Sequence, residues 1–425
     1  MRSPSPEVTL VVKKNWREIA RNNIVTIMFV VLCAVCMMFS GYTPSYVLYE
    51  LFGRLSRNMF IVLALIIPIV AGMGINFAIT IGAMAAQIAC ILVLEWGVQG
   101  IGGFALAALL TVPMAALFGF GIGKILNKMK GQEMIGGMIL GYFANGLYQL
   151  LCLFIFDNII PINNPNLTIK GSSGIANTMD LVKGGIANSL ENFWKLSASQ
   201  ASLVFALIIA VALVLGNMRS HRKNNKSMTV KIVALAVFAG VMQLPFMKEL
   251  FSMVKIPMVT FGIVALLCVF NLALMRTRLG QQFRAVGQNR TVANAAGINV
   301  DKVRIIAITI STVLAGWGQL IFVQNLGAFQ TYGAHEQVGL YAGAAILVGG
   351  ASVARATNTQ AILGTILFHM LFILAPAAAK NLFGDAAIGE YFRVFICYGV
   401  IALALVMHAW SGATKKKKLG AGNKA

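Results

Sequence analysis

Residues 101–123 read IGGFALAALLTVPMAALFGFGIG, a run of 23 residues without one charged side chain. A helix needs about 20 mostly apolar residues to cross a hydrocarbon core about 30 Å thick, so this run is long enough to span a membrane. Eleven further apolar runs are candidates: 24–39, 58–72, 75–94, 134–155, 200–217, 229–246, 257–275, 305–323, 337–353, 358–376 and 391–410. The sequence therefore predicts an all-α fold, a polytopic transmembrane helix bundle of about 10–12 spans.

The composition agrees with a membrane protein. Of the 425 residues, 58% are hydrophobic and 11% are charged, and the mean hydropathy is +0.80. A soluble fold could not hide that much apolar surface, whereas lipid solvates the outside of a helix bundle. The six cysteines and four histidines are scattered along the chain. We therefore predict no metal site and no catalytic residues, and we expect a protein that is not an enzyme.

Lys and Arg residues are concentrated in alternate loops. Of the 34 in the chain, 25 fall in the segments 2–21, 124–130, 219–231, 276–304, 355 and 415–424. The positive-inside rule assigns these segments, and both termini, to the cytoplasm. The formal net charge of +21 is then explained by topology, and no nucleic-acid partner is expected.

The same pattern divides the chain into segments. We predict a cytoplasmic N-terminal segment 1–23, a transmembrane domain 24–410 and a basic cytoplasmic tail 411–425. The lysines of the tail are expected to lie on anionic lipid headgroups. Residues 156–200 are predicted to be an extracytoplasmic insertion, either an ordered cap or a disordered loop, because two clusters of turn-forming residues interrupt them.

Neutral polar residues inside the spans are candidates for a solute path. Charged groups are almost absent from the spans, although ion-coupled carriers commonly keep such groups in the membrane. Amide and hydroxyl groups recur instead, and the ones we assign to the path are Asn76, Thr80, Gln87, Asn145, Gln149 and Gln319. They would suit a neutral, hydroxylated solute. Interhelical hydrogen bonding is the other interpretation of each of them.

Glycines mark two further features. Gly72-Met73-Gly74 separates two apolar runs with almost no polar loop, which is typical of a discontinuous or re-entrant helix pair or of a tight turn. Three pairs of glycines four residues apart predict closely approaching helices. They are Gly119 with Gly123, Gly137 with Gly141, and Gly339 with Gly343.

The cytoplasmic segment 276–304 contains GQQFRAVGQNRTVANAAGINVDKVR. It contains several apolar residues among basic and amide residues, and glycines separate its short predicted helices. A helix of this kind is either an interfacial anchor or a docking element for a soluble partner.

This segment resembles the coupling region of the permeases of binding-protein-dependent ABC importers for branched-chain amino acids, simple sugars and nucleosides. The residues that match, or that lie within the match, are Gly280, Arg284, Ala285, Val286, Gly287, Asn289, Ala293, Gly297 and Ile298. Asn294 departs from the family pattern. Residues 74–79 are similar to a sugar-branch motif, residues 130–142 to a nucleoside-branch motif, and residues 346–365 to a glycine-rich late region of the family.

The resemblance implies a transport subunit of the bacterial cytoplasmic (inner) membrane. Its partners would be cytoplasmic ATPase subunits, a second permease chain in a homo- or heterodimer, and an extracytoplasmic substrate-binding protein. No cofactor would be bound by this chain, since ATP and Mg would lie on the partner ATPase. A simple sugar is the first expectation for the solute and a nucleoside the next, and a secondary carrier or facilitator of a neutral solute is the alternative.

Overall fold

The structure is a computed structural model that describes residues 23–169, 174–219, 225–385, 387–395, 398–399, 401–402 and 406. The helices are α1 (Ile24–Ser40), α2 (Pro44–Ala64), α3 (Ile66–Val70), α4 (Ile79–Glu95), α5 (Gly100–Lys128), α6 (Glu133–Leu150), α7 (Ala198–Arg219), α8 (Asn225–Val241), α9 (Pro245–Leu250), α10 (Met258–Arg276), α11 (Arg278–Gln288), α12 (Arg290–Ala295), α13 (Val300–Leu326), α14 (Val338–Val348) and α15 (Asn358–Phe383). A π-helical turn, Leu151–Ile155, extends α6. Four short strands are β1 (Thr178–Asp180), β2 (Lys195–Ser197), β3 (Lys255–Pro257) and β4 (Ala328–Gln330).

Helices α4 and α13 form the centre of the bundle. Helix α13 packs against α2, α4 and α5, and α15 packs against α1, α2 and α14. Nearly every residue of α4 is buried, whereas α5 buries mainly small residues along one face. The all-α polytopic bundle predicted from the sequence is confirmed.

Six segments of the described chain are long and apolar enough to cross a membrane: Pro44–Val70, Gly100–Lys128, Glu133–Ile155, Met258–Arg276, Val300–Leu326 and Asn358–Phe383. Shorter apolar helices occupy five other predicted runs: Ile24–Ser40, Ile79–Glu95, Ala198–Val211, Met228–Val241 and Val338–Val348. Part of the last predicted run, 391–410, lies outside the described residues, as do residues 1–22 of the predicted N-terminal segment and the whole of the predicted tail 411–425.

The predicted run 58–72 begins too late in the chain. Helix α2 begins at Pro44, where Thr43 caps it by accepting a hydrogen bond from the backbone N–H of Tyr46. The first half of α2 contains charged and polar residues, so a search for apolar runs did not detect it. Glu50 and Arg54 lie one turn apart on the helix, with 3.7 Å between Oε2 and Nε.

Two other predicted spans contain helices shorter than expected. Residues 71–78 are not helical, so α4 begins at Ile79 and Asn76 precedes it. Helix α14 covers only Val338–Val348 of the predicted run 337–353. Its 11 residues extend about 16 Å, which is about half of a hydrocarbon core. The break at Gly72-Met73-Gly74 therefore separates two helices, and α14 is a half-length helix.

The paired glycines mark close contacts, as predicted, although Gly137, Gly339 and Gly343 meet the non-helical segment 71–78 instead of a helix. A Cβ on Gly119 of α5 would lie 2.9 Å from the Cα of Thr309 on α13. A Cβ on Gly339 would lie 2.8 Å from the backbone oxygen of Phe77. The other members of the three pairs also meet neighbouring elements within 3.3 Å: Gly123, Gly137, Gly141 and Gly343. Side chains larger than hydrogen would separate these elements.

Part of the predicted insertion 156–200 is ordered against the bundle. Strand β1 pairs antiparallel with β4, and β2 pairs antiparallel with β3. Ile175, Met179 and Leu181 are fully buried, and the Glu95 carboxylate accepts hydrogen bonds from the backbone N–H groups of residues 163 and 164. Outside residues 170–173, which are not described, this segment forms a packed cap on one end of the bundle.

Candidate functional site

The break before α4 meets the start of α14 at a cavity of about 170 Å³. Its lining comes from the start of α4, the middle of α6, the segment before α14, and Tyr398. The lining residues are Phe77, Thr80, Met84, Met138, Gly141, Tyr142, Asn145, His335, Glu336, Gln337, Gly339, Leu340 and Tyr398. Discontinuous helices are a recurrent way to build solute sites inside membranes, since they expose polar backbone and side-chain groups at depth.

His335 is the centre of a hydrogen-bond network at this cavity. Its Nδ1 lies 2.8 Å from Oε1 of Gln87, and its Nε2 lies 2.8 Å from Oδ1 of Asn145. Nδ2 of Asn145 donates to Oε1 of Glu336 across 2.9 Å. The ring of Tyr148 contacts the imidazole edge-on, with 4.8 Å between ring centroids. One chain of contacts thus joins α4, α6 and the segment before α14.

His335 is neutral in this network. Burial lowers the pKa of this imidazole, which lies between α13 and α14, to about 4. A neutral imidazole donates at one nitrogen and accepts at the other, so one of the two neighbouring amides presents its NH₂ group. While Oε1 of Gln87 is oriented toward His335, Nε2 of the same amide has no hydrogen-bond partner among the described residues. If the Gln87 amide turned over, its NH₂ group would donate to Nδ1 of His335.

Most of the residues predicted for the solute path surround this network. Thr80 and Asn145 line the cavity, and Gln87 lies behind His335. Nε2 of Gln319 donates to the backbone oxygen of Ala334, across 3.3 Å, next to His335. Each of these residues except Asn145 is buried.

The other two residues predicted for the path have different positions. Asn76 is buried, and its Oδ1 accepts a hydrogen bond from the backbone N–H of Ala78 across 3.1 Å. It therefore shapes the entry to α4. Gln149 is half-buried one turn beyond Asn145 on α6 and is not among the cavity-lining residues.

His335, Glu336 and Tyr148 were missed from the sequence. His335 and Glu336 lie outside every apolar run, and the partners of His335 are 248 and 190 positions away in the chain. The one available signal was the position of His335 and Glu336 immediately before a glycine-rich apolar run.

The predicted coupling segment is two helices, α11 and α12, joined at Asn289. Asn289 caps α12 by accepting from the backbone N–H groups of Thr291 and Val292. Gly280, Val286 and Ala293 are turned toward the body of the protein, Ala285, Gly287 and Ile298 are partly buried, and Arg284, Asn289 and Gly297 are exposed. Val292 is 63% exposed although it is apolar. The segment therefore has an inner face, fixed to this chain, and an open outer face.

The inner face contacts the helix break directly. A Cβ on Gly287 would lie 2.1 Å from the backbone oxygen of Val70. A Cβ on Gly72, whose φ is +73°, would lie 2.7 Å from the Cα of Gly287. Nη2 of Arg290 donates to the backbone oxygen of Gly72 across 2.9 Å. Glycine at both positions permits this approach of two backbones.

A buried ion cluster fixes the same region. The carboxylate of Glu133, at the start of α6, accepts from Nη2 of Arg290 at 2.8 Å and from Nη2 of Arg304. Arg304 is fully buried and also donates to Oδ1 of Asn127 across 2.9 Å. The cluster thus joins α5, α6, α12 and α13 at one end of the bundle. Buried charges persist only when paired in this way.

Comparisons with known proteins identify related permeases. The chain is 28% identical over 158 residues to the xylose transport system permease protein XylH of Haemophilus influenzae, an alignment of 37% of this chain and 39% of the relative. It is 31% identical over 155 residues to the ribose import permease protein RbsC of Escherichia coli, covering 36% and 45%. It is 26% identical over 260 residues to the autoinducer 2 import system permease protein LsrC of an Enterobacter species, covering 58% and 72%.

The alignments to the first two relatives thus span less than half of their lengths. No solved structure matches the chain. A profile of the branched-chain amino acid transport system permease component matches residues 48–405, which include the cavity, the helix break and the coupling segment. This multi-pass membrane protein belongs to the family of branched-chain amino acid transport system permease components.

Proposed function

We propose that this chain is the membrane-spanning subunit of an ATP-driven importer in the bacterial inner membrane, and that it translocates a simple sugar. A separate ATPase pair would bind the cytoplasmic coupling segment, carrying ATP and Mg. A second permease chain would complete the path, and an extracytoplasmic protein would deliver the solute. Family membership supports the subunit's role, and relatives named for xylose and ribose support a sugar over a nucleoside.

The observation that carries the proposal is the contact between the coupling segment and the helix break. Gly287 and Arg290 contact Gly72, and five residues further along the chain Phe77 lines the cavity. A rigid displacement of α11 and α12 would therefore reach the cavity wall through a short non-helical segment. Transport needs a two-state element that the ATPase biases, and this break is suited to that role.

The chemistry of the cavity fits a small neutral solute. Its volume of about 170 Å³ is below the roughly 300–1,000 Å³ of drug-sized ligand pockets. Its wall carries hydroxyl, amide and carboxylate groups together with three aromatic rings, and these groups can bond the hydroxyls and pack against the apolar faces of a sugar. The secondary carrier is disfavoured, because the family consists of permease components of transport systems.

The outer face of α12 provides the test of ATPase binding. Val292→Asp places a charge on the exposed apolar residue without touching the inner face, and Val292→Thr is the matched control, equal in shape and neutral. The full chain would be expressed with its candidate ATPase, solubilised and purified by a tag on the permease. We expect wild type and Val292→Thr to retain the ATPase, and Val292→Asp to lose most of it while eluting as a folded protein. Equal ATPase recovery with Val292→Asp, or none with wild type, would contradict the proposal.

The solute would be tested by uptake. Cells expressing the complete system would be given radiolabelled D-ribose or D-xylose, with an unlabelled nucleoside as competitor. ATP-dependent uptake of a pentose that the nucleoside does not reduce is the expected result. Uptake driven by an ion gradient, without ATP, would support the carrier instead.

A further inference from the structure

The wall of the cavity has an asymmetric charge. Glu336 provides a carboxylate, whereas none of the described residues that line the cavity is Lys or Arg. His335 immediately precedes Glu336 in the chain, and its imidazole is neutral. The other polar groups on the wall, among them Thr80, Tyr142 and Asn145, carry no full charge. A solute inside the cavity therefore meets one negative charge and no positive one from these residues.

Glu336 is an exposed residue whose carboxylate is oriented by one hydrogen bond on the wall. Nδ2 of Asn145 donates to its Oε1 across 2.9 Å, and Asn145 is itself fixed by His335 at 2.8 Å. A carboxylate offers about four acceptor sites on its two oxygens, so this single bond leaves acceptor capacity toward the cavity. Hydrogen bonds from a solute hydroxyl to a carboxylate are charge-assisted and stronger than neutral ones.

The same charge repels anions. Phe77, Met84, Met138 and Leu340 supply apolar wall, whereas Glu336 is exposed, so its repulsion of an anion within a few ångströms is that of a charge near a protein surface. An anionic solute would also lose its hydration without gaining a basic partner from the described lining. The cavity thus favours hydrogen-bond donors and disfavours phosphate and carboxylate groups.

We propose that Glu336 is a specificity-determining residue that admits neutral hydroxylated solutes to this cavity and excludes their phosphorylated or acidic forms. The part of this inference that concerns sugars rests on the proposed function, whereas the charge selectivity of the cavity does not. The occupant would be a polyol whose hydroxyl groups donate to the carboxylate, and a sugar phosphate would be rejected at this point of the path.

The test places a thiol in the cavity and measures its reaction with charged reagents. Tyr142 lines the cavity and is 71% exposed, so the full-length Tyr142→Cys chain would be labelled with methanethiosulfonates of similar size, one with a trimethylammonium group and one with a sulfonate. The chain without this change gives the background of its own cysteines. The cationic-to-anionic rate ratio would be compared with that of the same chain carrying Glu336→Gln, which keeps the acceptor for Asn145 and removes the charge.

Because the two reagents have opposite charges, loss of the carboxylate changes their rates in opposite directions. We expect the ratio to fall by roughly tenfold with Glu336→Gln. The matched control is Glu249→Gln, an exposed carboxylate on α9 that is not in the lining, and it should leave the ratio unchanged. An equal ratio with and without Glu336 would overturn the proposal, as would an equal fall with Glu249→Gln.

A second arm separates this proposal from the choice of a sugar as solute. D-ribose should slow labelling of Tyr142→Cys, D-ribose 5-phosphate should not, and Glu336→Gln should allow the phosphate to slow it. If the reagent ratio falls as expected but ribose gives no protection, the charge selectivity of Glu336 is supported and the assignment of a sugar fails. If ribose and its phosphate protect equally in the presence of Glu336, the exclusion of anions is contradicted.

Discussion

At the scale of single residues, two polar clusters show how this bundle tolerates polar groups in its interior. At one end, the single carboxylate of Glu133 pairs with both the fully buried Arg304 and the partly buried Arg290, so it offsets one of the two positive charges. At the cavity, the amides of Gln87 and Asn145 satisfy His335 without any ion pair. The first cluster resists change because a buried charge needs its partner, and the second because each amide and the imidazole need a hydrogen-bond partner.

Glu133→Gln should be strongly destabilising. The substitution leaves Arg304 buried with only the Asn127 amide and a neutral Gln nearby, and removal of one partner of a buried pair costs about 3–5 kcal/mol. We expect a clearly lower thermal unfolding midpoint for the purified protein in detergent. Lys130→Gln is the control, because Lys130 pairs with Asp301 at 3.7 Å where both side chains are more than half exposed. Such a pair contributes at most about 1 kcal/mol. Similar midpoints for the two variants would contradict this account of the cluster.

At the scale of elements, the contact of α11 with the helix break depends on backbones that touch. Gly287→Ala should separate them, since its methyl group would lie 2.1 Å from the backbone oxygen of Val70. Overpacking of this kind costs about 1–3 kcal/mol. We expect ATP-dependent uptake to fall further than the amount of folded protein, because the displaced helix also loses its route to the cavity.

Gly146→Ala is the matched control for this contact. Gly146 lies in α6, and a Cβ added there would meet nothing within 4 Å, so alanine in mid-helix should be neutral or stabilising. The two variants would be compared at the same amount of folded protein. If Gly287→Ala supported as much uptake as Gly146→Ala, the close approach of α11 to the helix break would have no role in coupling.

The elements also show which parts of the fold hydropathy can predict. Long apolar runs such as 101–123 became helices because lipid and protein interior both demand internal hydrogen bonding of the backbone. The first half of α2 was missed because its charged residues raise its polarity, although on the helix they pair with each other. Helix α14 was predicted too long because an apolar, glycine-rich run has the same hydropathy whether it is helical or not.

The candidate site was predictable only in part, for a related reason. Thr80, Gln87 and Asn145 could be selected because a polar group inside an apolar run is unusual. His335 and Glu336 lie outside such runs, where polar residues are ordinary. Their role depends on a segment that enters the bundle from its end, and no local pattern encodes contacts with partners 248 and 190 positions away. The coupling segment was recognisable, but which of its residues face inward required the packing against Gly72.

At the scale of the whole molecule, contacts segregate by the side of the membrane that the sequence predicts. Strands β1 and β4, and β2 and β3, pair loops that the positive-inside rule assigns to the outside. Arg290 belongs to a segment assigned to the cytoplasm, and it contacts both Glu133, just after the cytoplasmic segment 124–130, and Gly72, at the cytoplasmic end of the predicted run 58–72. Basic-residue counts and tertiary contacts are independent observations, and both divide the bundle into the same two ends.

This agreement leads to a topology prediction for the full chain in bacterial cells. Lys183, whose side chain is 74% exposed, lies at the capped end, and Gln281, on the outer surface of α11, is exposed at the other. A membrane-impermeant maleimide should label Lys183→Cys in intact spheroplasts, and Gln281→Cys only after permeabilisation. Wild type serves as the background, because the described cysteines are buried or partly buried. Labelling of Gln281→Cys in intact spheroplasts would show that the orientation is opposite to the predicted one. The coupling segment could then not contact a cytoplasmic ATPase.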